Sequence, residues 1–245
     1  MCRLLGYVAD HPTSFEDVIG EGFQKFVDLS HEHKHGWGIA TCSIDGKIDT
    51  EHDLTTAALS PKFAESRSGM KSDAALLHLR LASKGLTVDL SNNHPFVYGK
   101  YSFMHNGTIR DSALLEKYID QKFVKEYKSS TDTEKYFYAL LTSIEKNGLV
   151  EGIRETVAHI VKENDYSSIN AMLLTPEKLV AICQFNEEDK SEWTVDSHYE
   201  LRYLVEDGVI KIASTGWGKD DWIALKNHSI LLIDRKTQEI EVLPL

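Results

Sequence analysis

The chain has 245 residues, of which 42% are hydrophobic and 27% charged, and its formal net charge is −11. A single domain of this length buries roughly 70–75% of its unfolded surface, so its core needs neither a disulfide nor a metal. The negative balance argues against DNA or RNA as the main partner, because the composition offers no basic patch that could displace phosphate counterions.

The first predicted elements are a strand, a helix and a hairpin. The opening segment CRLLGYVA is typical of a short buried strand, and the helix after it has Thr13 or Ser14 as its candidate N-cap. Two β-rich runs then flank the turn dipeptide Asp45-Gly46, which predicts a hairpin. The first fifth of the chain is therefore expected to place a helix between strands.

Two further strands lead into a helical middle. The segments DAALLHLRLAS and KYSFMHNGTI are each predicted as strands, and the second is predicted to end in a turn at Asn106-Gly107. Three helices are predicted after this turn, at residues 111–123, 129–148 and 150–164.

The last third of the chain is rich in strands. Turn pairs at Asp207-Gly208 and Lys236-Thr237 suit antiparallel hairpins. Strands, then helices, then strands again predict two antiparallel sheets with helices packed outside them. We expect one α+β domain over residues 1–245.

The cysteines indicate a reducing compartment. The cysteines Cys2, Cys42 and Cys183 are odd in number and widely spaced, with no CxxC pair.

The N-terminus lacks the basic-then-apolar pattern of a signal peptide, and no apolar run reaches the roughly 18–20 residues that cross a bilayer. We therefore expect a cytoplasmic protein without a membrane partner.

Cys2 allows two interpretations. It is either a small hydrophobe near the first strand or a nucleophile that is completed when Met1 is removed. After that removal the α-amino group and the thiol belong to one residue, and such an amine titrates at about pH 7.7–8.0 in model peptides. The amine can then take the thiol proton, so that no separate histidine is required.

Arg80 stands inside the apolar run LLHLRLAS, where an unpaired guanidinium is costly. One interpretation is a buried salt bridge to a carboxylate elsewhere in the chain. The other is a clamp for the carboxylate of a ligand, which the planar fork of arginine suits better than lysine.

Two interpretations are also open for the dipeptide Asn106-Gly107, and two for Asp132. Asn106-Gly107 is a common turn dipeptide, but a side-chain amide next to a glycine N–H can also form an oxyanion hole. Asp132 in SSTDTE is either a helix N-cap or first-turn residue or a partner for a ligand ammonium group. We expect His94 and His105 to support the site rather than to catalyse.

The cluster HEHKHGWG raises the question of a metal site. Its histidines, His31, His33 and His35, are expected in a loop, and no cysteine or paired carboxylate completes a ligand set. We therefore predict no metal. Gly36 and Gly38 on either side of Trp37 indicate close backbone packing beside a site.

The ordered set MCRLLGY, HGWGIA, LHLRLAS, NNHPF, MHNGTI and SSTDTE resembles the class II glutamine amidotransferases, which are N-terminal nucleophile hydrolases. The similarity is to the single-domain kind that is related to γ-glutamyl amide hydrolases. All the motifs fall within the first 135 or so residues. The resemblance implies a four-layer αββα sandwich, two antiparallel sheets with helices outside, with Cys2 at the start of a central strand.

The resemblance also implies roles for individual residues. Cys2 corresponds to the nucleophile, and the Asn106 side chain and the Gly107 amide correspond to the oxyanion donors. Arg80 corresponds to the residue that binds the substrate carboxylate, and Asp132 to the residue that binds the substrate ammonium group. We add two candidates to the substrate-binding set, His105 and Trp37.

The expected function is hydrolysis of the γ-amide of glutamine or of a γ-glutamyl compound, through a Cys2 thioester and without a cofactor. One alternative is a glutaminase subunit that passes ammonia to a separate synthetase partner. Another is a non-catalytic ligand-binding relative in which Met1 is retained. The segment ASTGWGKDDW departs from the Ser-Glu-Pro-like segment of related single-domain proteins, and this departure concerns the leaving-group side of the pocket.

Overall fold

The computed structural model describes residues 2–43, 45–83, 85–189, 199–218 and 221–245. The predicted removal of Met1 concerns a residue outside these ranges. Within them the strands are β1 (Arg3–Thr13), β2 (Trp37–Cys42), β3 (Ile48–Asp53), β4 (Ser72–Leu79), β5 (Phe96–Tyr98), β6 (Tyr101–Ile109), β7 (Tyr166–Leu174), β8 (Lys178–Cys183), β9 (Leu201–Glu206), β10 (Val209–Ser214), β11 (Ile223–Leu225), β12 (Ser229–Asp234) and β13 (Ile240–Pro244). The α-helices are α1 (Phe15–Ile19), α2 (Phe23–Asp28), α3 (Pro61–Gly69), α4 (Gln121–Val124), α5 (Asp132–Asn147) and α6 (Leu149–Glu163).

These strands form two antiparallel sheets. The first sheet has seven strands in the order β11-β9-β10-β1-β4-β2-β3, so that β1 lies in its centre. The second has six strands in the order β13-β12-β8-β7-β6-β5. Short hairpins join β2 to β3, β9 to β10 and β12 to β13, as the turn pairs predicted. Each of these strand pairs is antiparallel.

Three buried clusters divide the fold into four layers. Side chains from both sheets, such as Leu4, Leu76 and Met172, fill the space between them. The outer face of the first sheet packs against α1, α2 and α3 through residues such as Phe63. The outer face of the second sheet packs against α5 and α6 through residues such as Phe137. The predicted αββα sandwich is confirmed.

Local structure differs from the prediction at three places. The first helix is interrupted by a 3-10 turn at Gly20–Gly22, because Gly20 has a positive φ of 62°. The helix predicted over 111–123 is instead a 3-10 helix, Ser112–Tyr118, followed by the short α4. The predicted turn at Asn106-Gly107 is wrong, because β6 continues through both residues to Ile109.

Within the residues that the structure describes, no helix combines the length and apolar character needed to cross a bilayer. The longest helix, α5, has 16 residues, and its buried face is directed at the second sheet.

The core between the sheets predicts a specific stability effect. Leu76 is fully buried there, so Leu76→Ala should lower the free energy of unfolding by about 2–5 kcal/mol through lost burial and a residual cavity. Leu59, which is 68% exposed, is the matched control, and Leu59→Ala should change stability by less than about 0.5 kcal/mol. Urea unfolding of both variants checks this expectation, and equal midpoints would contradict it.

Candidate active site

Cys2 lies one residue before β1, at the N-terminal end of this central strand of the first sheet. Its backbone nitrogen donates a hydrogen bond to Oδ1 of Asn106 at 2.9 Å, and its thiol donates to the carbonyl of Leu81 at 3.7 Å. Burial raises the pKa of the Cys2 thiol, and the guanidinium groups of Arg80 and Arg3 act in the opposite direction. Cys2 is partly exposed, whereas Cys42 and Cys183 are buried.

Asn106 and Gly107 lie on β6 of the second sheet, opposite Cys2. The Asn106 side chain is buried, and its Nδ2 has no hydrogen-bond partner among the described residues. Gly107 has a φ of 152°, a conformation that favours glycine, and the pairing register with β7 shifts just after it. This irregularity explains why a dipeptide typical of turns occurs inside a strand.

Arg80 directly follows β4, and its position is fixed by main-chain bonds to His35 and Gly36. Its guanidinium donates from Nη2 to the carbonyl of Thr87 at 3.1 Å, while Nη1 is buried and has no partner within the described ranges. Burial lowers the pKa of Arg80, but a guanidinium stays charged at neutral pH. None of the ion pairs found in the described ranges includes Arg80, so the salt-bridge interpretation finds no support there.

Asp132 is the first residue of α5, and Thr131 is its N-cap. One carboxylate oxygen accepts a hydrogen bond from the backbone N–H of Ile109 at 2.6 Å, and the other accepts one from Thr133 at 3.0 Å. The carboxylate therefore joins the start of the helix to the end of β6, two residues beyond Gly107. It also remains partly exposed, so it can accept a further hydrogen bond.

The two histidines of the site are held by other protein groups. His105 contacts Thr133 through Nδ1 at 3.0 Å and the carbonyl of Ser168 through Nε2 at 3.1 Å, so both ring nitrogens are engaged. Nδ1 of His94 lies 3.0 Å from Nε2 of His78. Burial lowers the pKa of His105, of His94 and of its neighbour His78, which favours neutral rings.

A small cavity at this end of the sandwich brings most of the predicted residues together. Its lining includes Cys2, Arg80, His94, His105, Gly107 and Asp132. Asn106 is not among the lining residues, and its Oδ1 accepts a hydrogen bond from the backbone nitrogen of Cys2.

Trp37 does not line this cavity. Its side chain is fully buried and packs edge-on against Phe63 of α3, on the outer face of the first sheet. The structure therefore places Trp37 in the core rather than beside the other candidates.

Arg3 is a residue near the site that the sequence interpretation missed. Its Nη1 donates to the carbonyl of Cys2 at 3.1 Å, and its side chain is only 6% exposed. A charged residue in an apolar run was the signal that singled out Arg80, and the same signal is present in MCRLLGY.

A metal site is not formed by the part of the chain that the structure describes, where no three His, Cys, Asp or Glu side chains come close enough to bind an ion. Of the histidines in HEHKHGWG, His35 accepts a hydrogen bond from the backbone N–H of Ala82 at 2.9 Å. This bond stabilises the loop that follows Arg80.

Comparison with known proteins assigns the family. The sequence model of the glutamine amidotransferases class-II matches residues 1–219. The chain therefore belongs to the class II glutamine amidotransferases, a family of enzymes.

Curated relatives are longer than this chain. It is 23% identical over 168 residues to the "Probable glutamine amidotransferase DUG3" of Saccharomyces cerevisiae, a match that covers 60% of this chain and 47% of that protein. It is 26% identical over 165 residues to the amidophosphoribosyltransferase of the same yeast, covering 66% and 32%. The matched region thus spans less than half the length of either relative.

Solved structures share the fold. A glutamine aminotransferase class-II domain protein from Silicibacter pomeroyi superposes with a TM-score of 0.71 at 17% identity, covering 100% of this chain and 99% of that one. The glutamine phosphoribosylpyrophosphate amidotransferase of Bacillus subtilis gives 0.64 at 15% identity, covering 99% and 49%. At these identities the likeness concerns the fold.

The close approach at Gly107 leads to a prediction. A Cβ at this position would lie 1.8 Å from the carbonyl oxygen of Ser168, so Gly107→Ala should lower the free energy of unfolding by about 3 kcal/mol or more. Gly99→Ala is the control, because Gly99 also has a positive φ, 56°, but nothing within 4 Å, and it should cost about 1–2 kcal/mol. Thermal and urea unfolding measure both, and equal losses would contradict the steric explanation.

Proposed function

We propose that this protein is an amidohydrolase that cleaves the γ-amide of glutamine or of a γ-glutamyl compound, with Cys2 as the nucleophile. The observation that carries the proposal is the hydrogen bond between Cys2 and Asn106. This bond joins the main chain of Cys2 to a buried side-chain amide whose Nδ2 is unused in the described structure, which supports the pairing of thiol and amide in one site. A buried donor without a partner is costly, and this cost is removed when an oxyanion binds there.

Two charged groups would recognise the glutamyl part of the substrate. The buried Nη1 of Arg80 is available to the α-carboxylate, and the partly exposed carboxylate of Asp132 is available to the α-ammonium group. Both line the same cavity as Cys2, so a bound glutamyl group would extend from these charges toward the thiol. His105 supports this arrangement through Thr133, the residue after Asp132.

The proposed reaction has two steps that need no cofactor. The free α-amine of processed Cys2 takes the thiol proton, directly or through water, and Sγ attacks the γ-carbonyl carbon. Nδ2 of Asn106 and the N–H of Gly107 stabilise the oxyanion, and the protonated amine returns its proton to the leaving ammonia or amine. Water then attacks the γ-glutamyl thioester, which releases glutamate and restores the thiol.

A second candidate function is that of an ammonia-supplying subunit with a synthetase partner. Its support is the length of the relatives, because the match covers 47% of one yeast relative and 32% of the other. The two candidates differ in free-standing activity: a hydrolase turns over glutamine alone, whereas a subunit does so weakly until its partner is added. The cytoplasmic location stays a prediction in both cases.

The nucleophile can be tested by intact mass before and after treatment with the diazoketone analogue of glutamine. We expect a mass that lacks Met1 and a single adduct that maps to Cys2. Cys2→Ala should form no adduct and have no measurable turnover, whereas Cys42→Ala should behave as the wild type, because Cys42 is buried outside the cavity. A retained Met1 with no adduct would contradict the proposal and favour a non-catalytic relative.

The carboxylate clamp can be tested by kinetics on glutamine. Arg80→Met should raise KM by about 10–100-fold with a smaller change in kcat, because a charge-assisted hydrogen bond to the ground-state substrate is lost. Arg80→Lys should recover part of this loss, since it keeps the charge but not the planar fork. Arg67→Met on the remote helix α3 is the control. An unchanged KM in Arg80→Met would assign substrate binding to another group.

A further inference from the structure

The main chain of Cys2 is held by side chains rather than by the sheet. The ladder between β1 and β4 begins at the pair Arg3 and Leu79, so Cys2 lies one residue outside it. Its N–H donates to Asn106 at 2.9 Å, and its carbonyl accepts from Nη1 of Arg3 at 3.1 Å. With both main-chain groups fixed, the direction of the Cα–Cβ bond is fixed as well, and rotation about χ1 is the freedom left to Sγ.

The Arg3 side chain is more deeply buried than a surface arginine would be. It is 6% exposed, its Nε has no partner among the described residues, and none of the ion pairs within those ranges includes it. Burial lowers the pKa of Arg3, and the charge of Glu32 opposes this effect. The main chain at Gly216 passes next to the guanidinium, since a Cβ there would lie 3.5 Å from Nε and Nη2.

A buried guanidinium without a carboxylate in contact destabilises the fold, so a purely structural reason for Arg3 is weak. An apolar residue at the first position of β1 would pack there at lower cost. Among the described residues, the hydrogen bond to the carbonyl of Cys2 is the contact of Arg3 that an apolar residue cannot reproduce.

We infer that Arg3 is a positioning residue: its guanidinium holds the carbonyl of Cys2 and so aims Sγ at a carbonyl carbon bound beside Asn106 and Gly107. This inference rests on the proposed function. Three positive charges also favour the thiolate over the thiol: first the amino terminus, then Arg80, which follows β4, and then Arg3. The carboxylate of Glu32, on the chain after α2, favours the charged form of Arg3.

The consequence should be a loss of rate rather than of substrate binding. A displacement of the nucleophile by about 1 Å can cost on the order of 100-fold in rate. Arg3→Met should therefore lower kcat for glutamine by about 10–100-fold, with KM within about 3-fold, because the groups proposed to bind substrate are untouched. Arg3→Lys should recover part of the rate, since an ammonium group also donates a hydrogen bond and carries the charge.

The test compares wild type, Arg3→Met, Arg3→Lys and Arg235→Met in two assays. Arg235 is a matched control, because it is 5% exposed and contacts Asp73, and it does not line the cavity. The first assay measures kcat and KM for glutamine per amount of folded protein. The second measures the rate of Cys2 alkylation by iodoacetamide against pH, which requires no substrate.

We expect the alkylation profile of Arg3→Met to move to higher pH, because loss of a nearby positive charge raises the thiol pKa and leaves less thiolate at a given pH. Arg3→Lys should stay near the wild-type profile, and Arg235→Met should lose stability only.

A wild-type kcat together with an unchanged alkylation profile in Arg3→Met would overturn the inference. An equal loss of kcat in Arg235→Met would overturn it as well. A wild type that alkylates at Cys2 but hydrolyses neither glutamine nor other γ-glutamyl amides would instead contradict the proposed function. The alkylation profiles would still test the effect of Arg3 on Cys2.

Discussion

The hydrogen bond from the backbone nitrogen of Cys2 to Oδ1 of Asn106 connects the two sheets at the end of the sandwich where the cavity lies. Cys2 precedes the central strand of one sheet, and Asn106 belongs to the other, so the distance of 2.9 Å depends on how the sheets are stacked. That stacking is set by a buried apolar cluster between them, which includes Leu4, Met104 and Met172. Because such a core is close-packed, neither sheet can slide without opening cavities.

The same end of the molecule contains polar groups that the fold leaves unsatisfied. Nη1 of Arg80, Nε of Arg3 and Nδ2 of Asn106 are buried and have no partner within the described ranges. Each lowers stability, and the large sheet-and-helix cores offset the loss. A polar or anionic ligand bound beside Cys2 would supply partners for the groups that face it.

Local sequence patterns predicted the helices and hairpins that have a clear amphipathic spacing or a clear turn pair. The amphipathic spacing of α5 and α6 and the turn pairs of the hairpins led to the observed architecture. The prediction was wrong at Asn106-Gly107, since a glycine with positive φ serves a strand irregularity as readily as a turn. Trp37 was expected beside the site because of its flanking glycines, but the side chain packs against the outer helices.

The sequence by itself determined the α+β class, the resemblance to a family and the candidate residues of the site. Cys2 and Arg80 stand out against their neighbours, whereas the role of Asp132 came from the resemblance. Only the tertiary structure decided which of them meet. Cys2 and Asn106 are 104 residues apart, and whether they touch depends on strand order, register and sheet stacking together. Arg3 and Cys2 are neighbours in sequence, yet the proposed role of Arg3 also depends on the fold. Burial and the lack of a carboxylate partner within the described ranges separate it from an ordinary surface arginine.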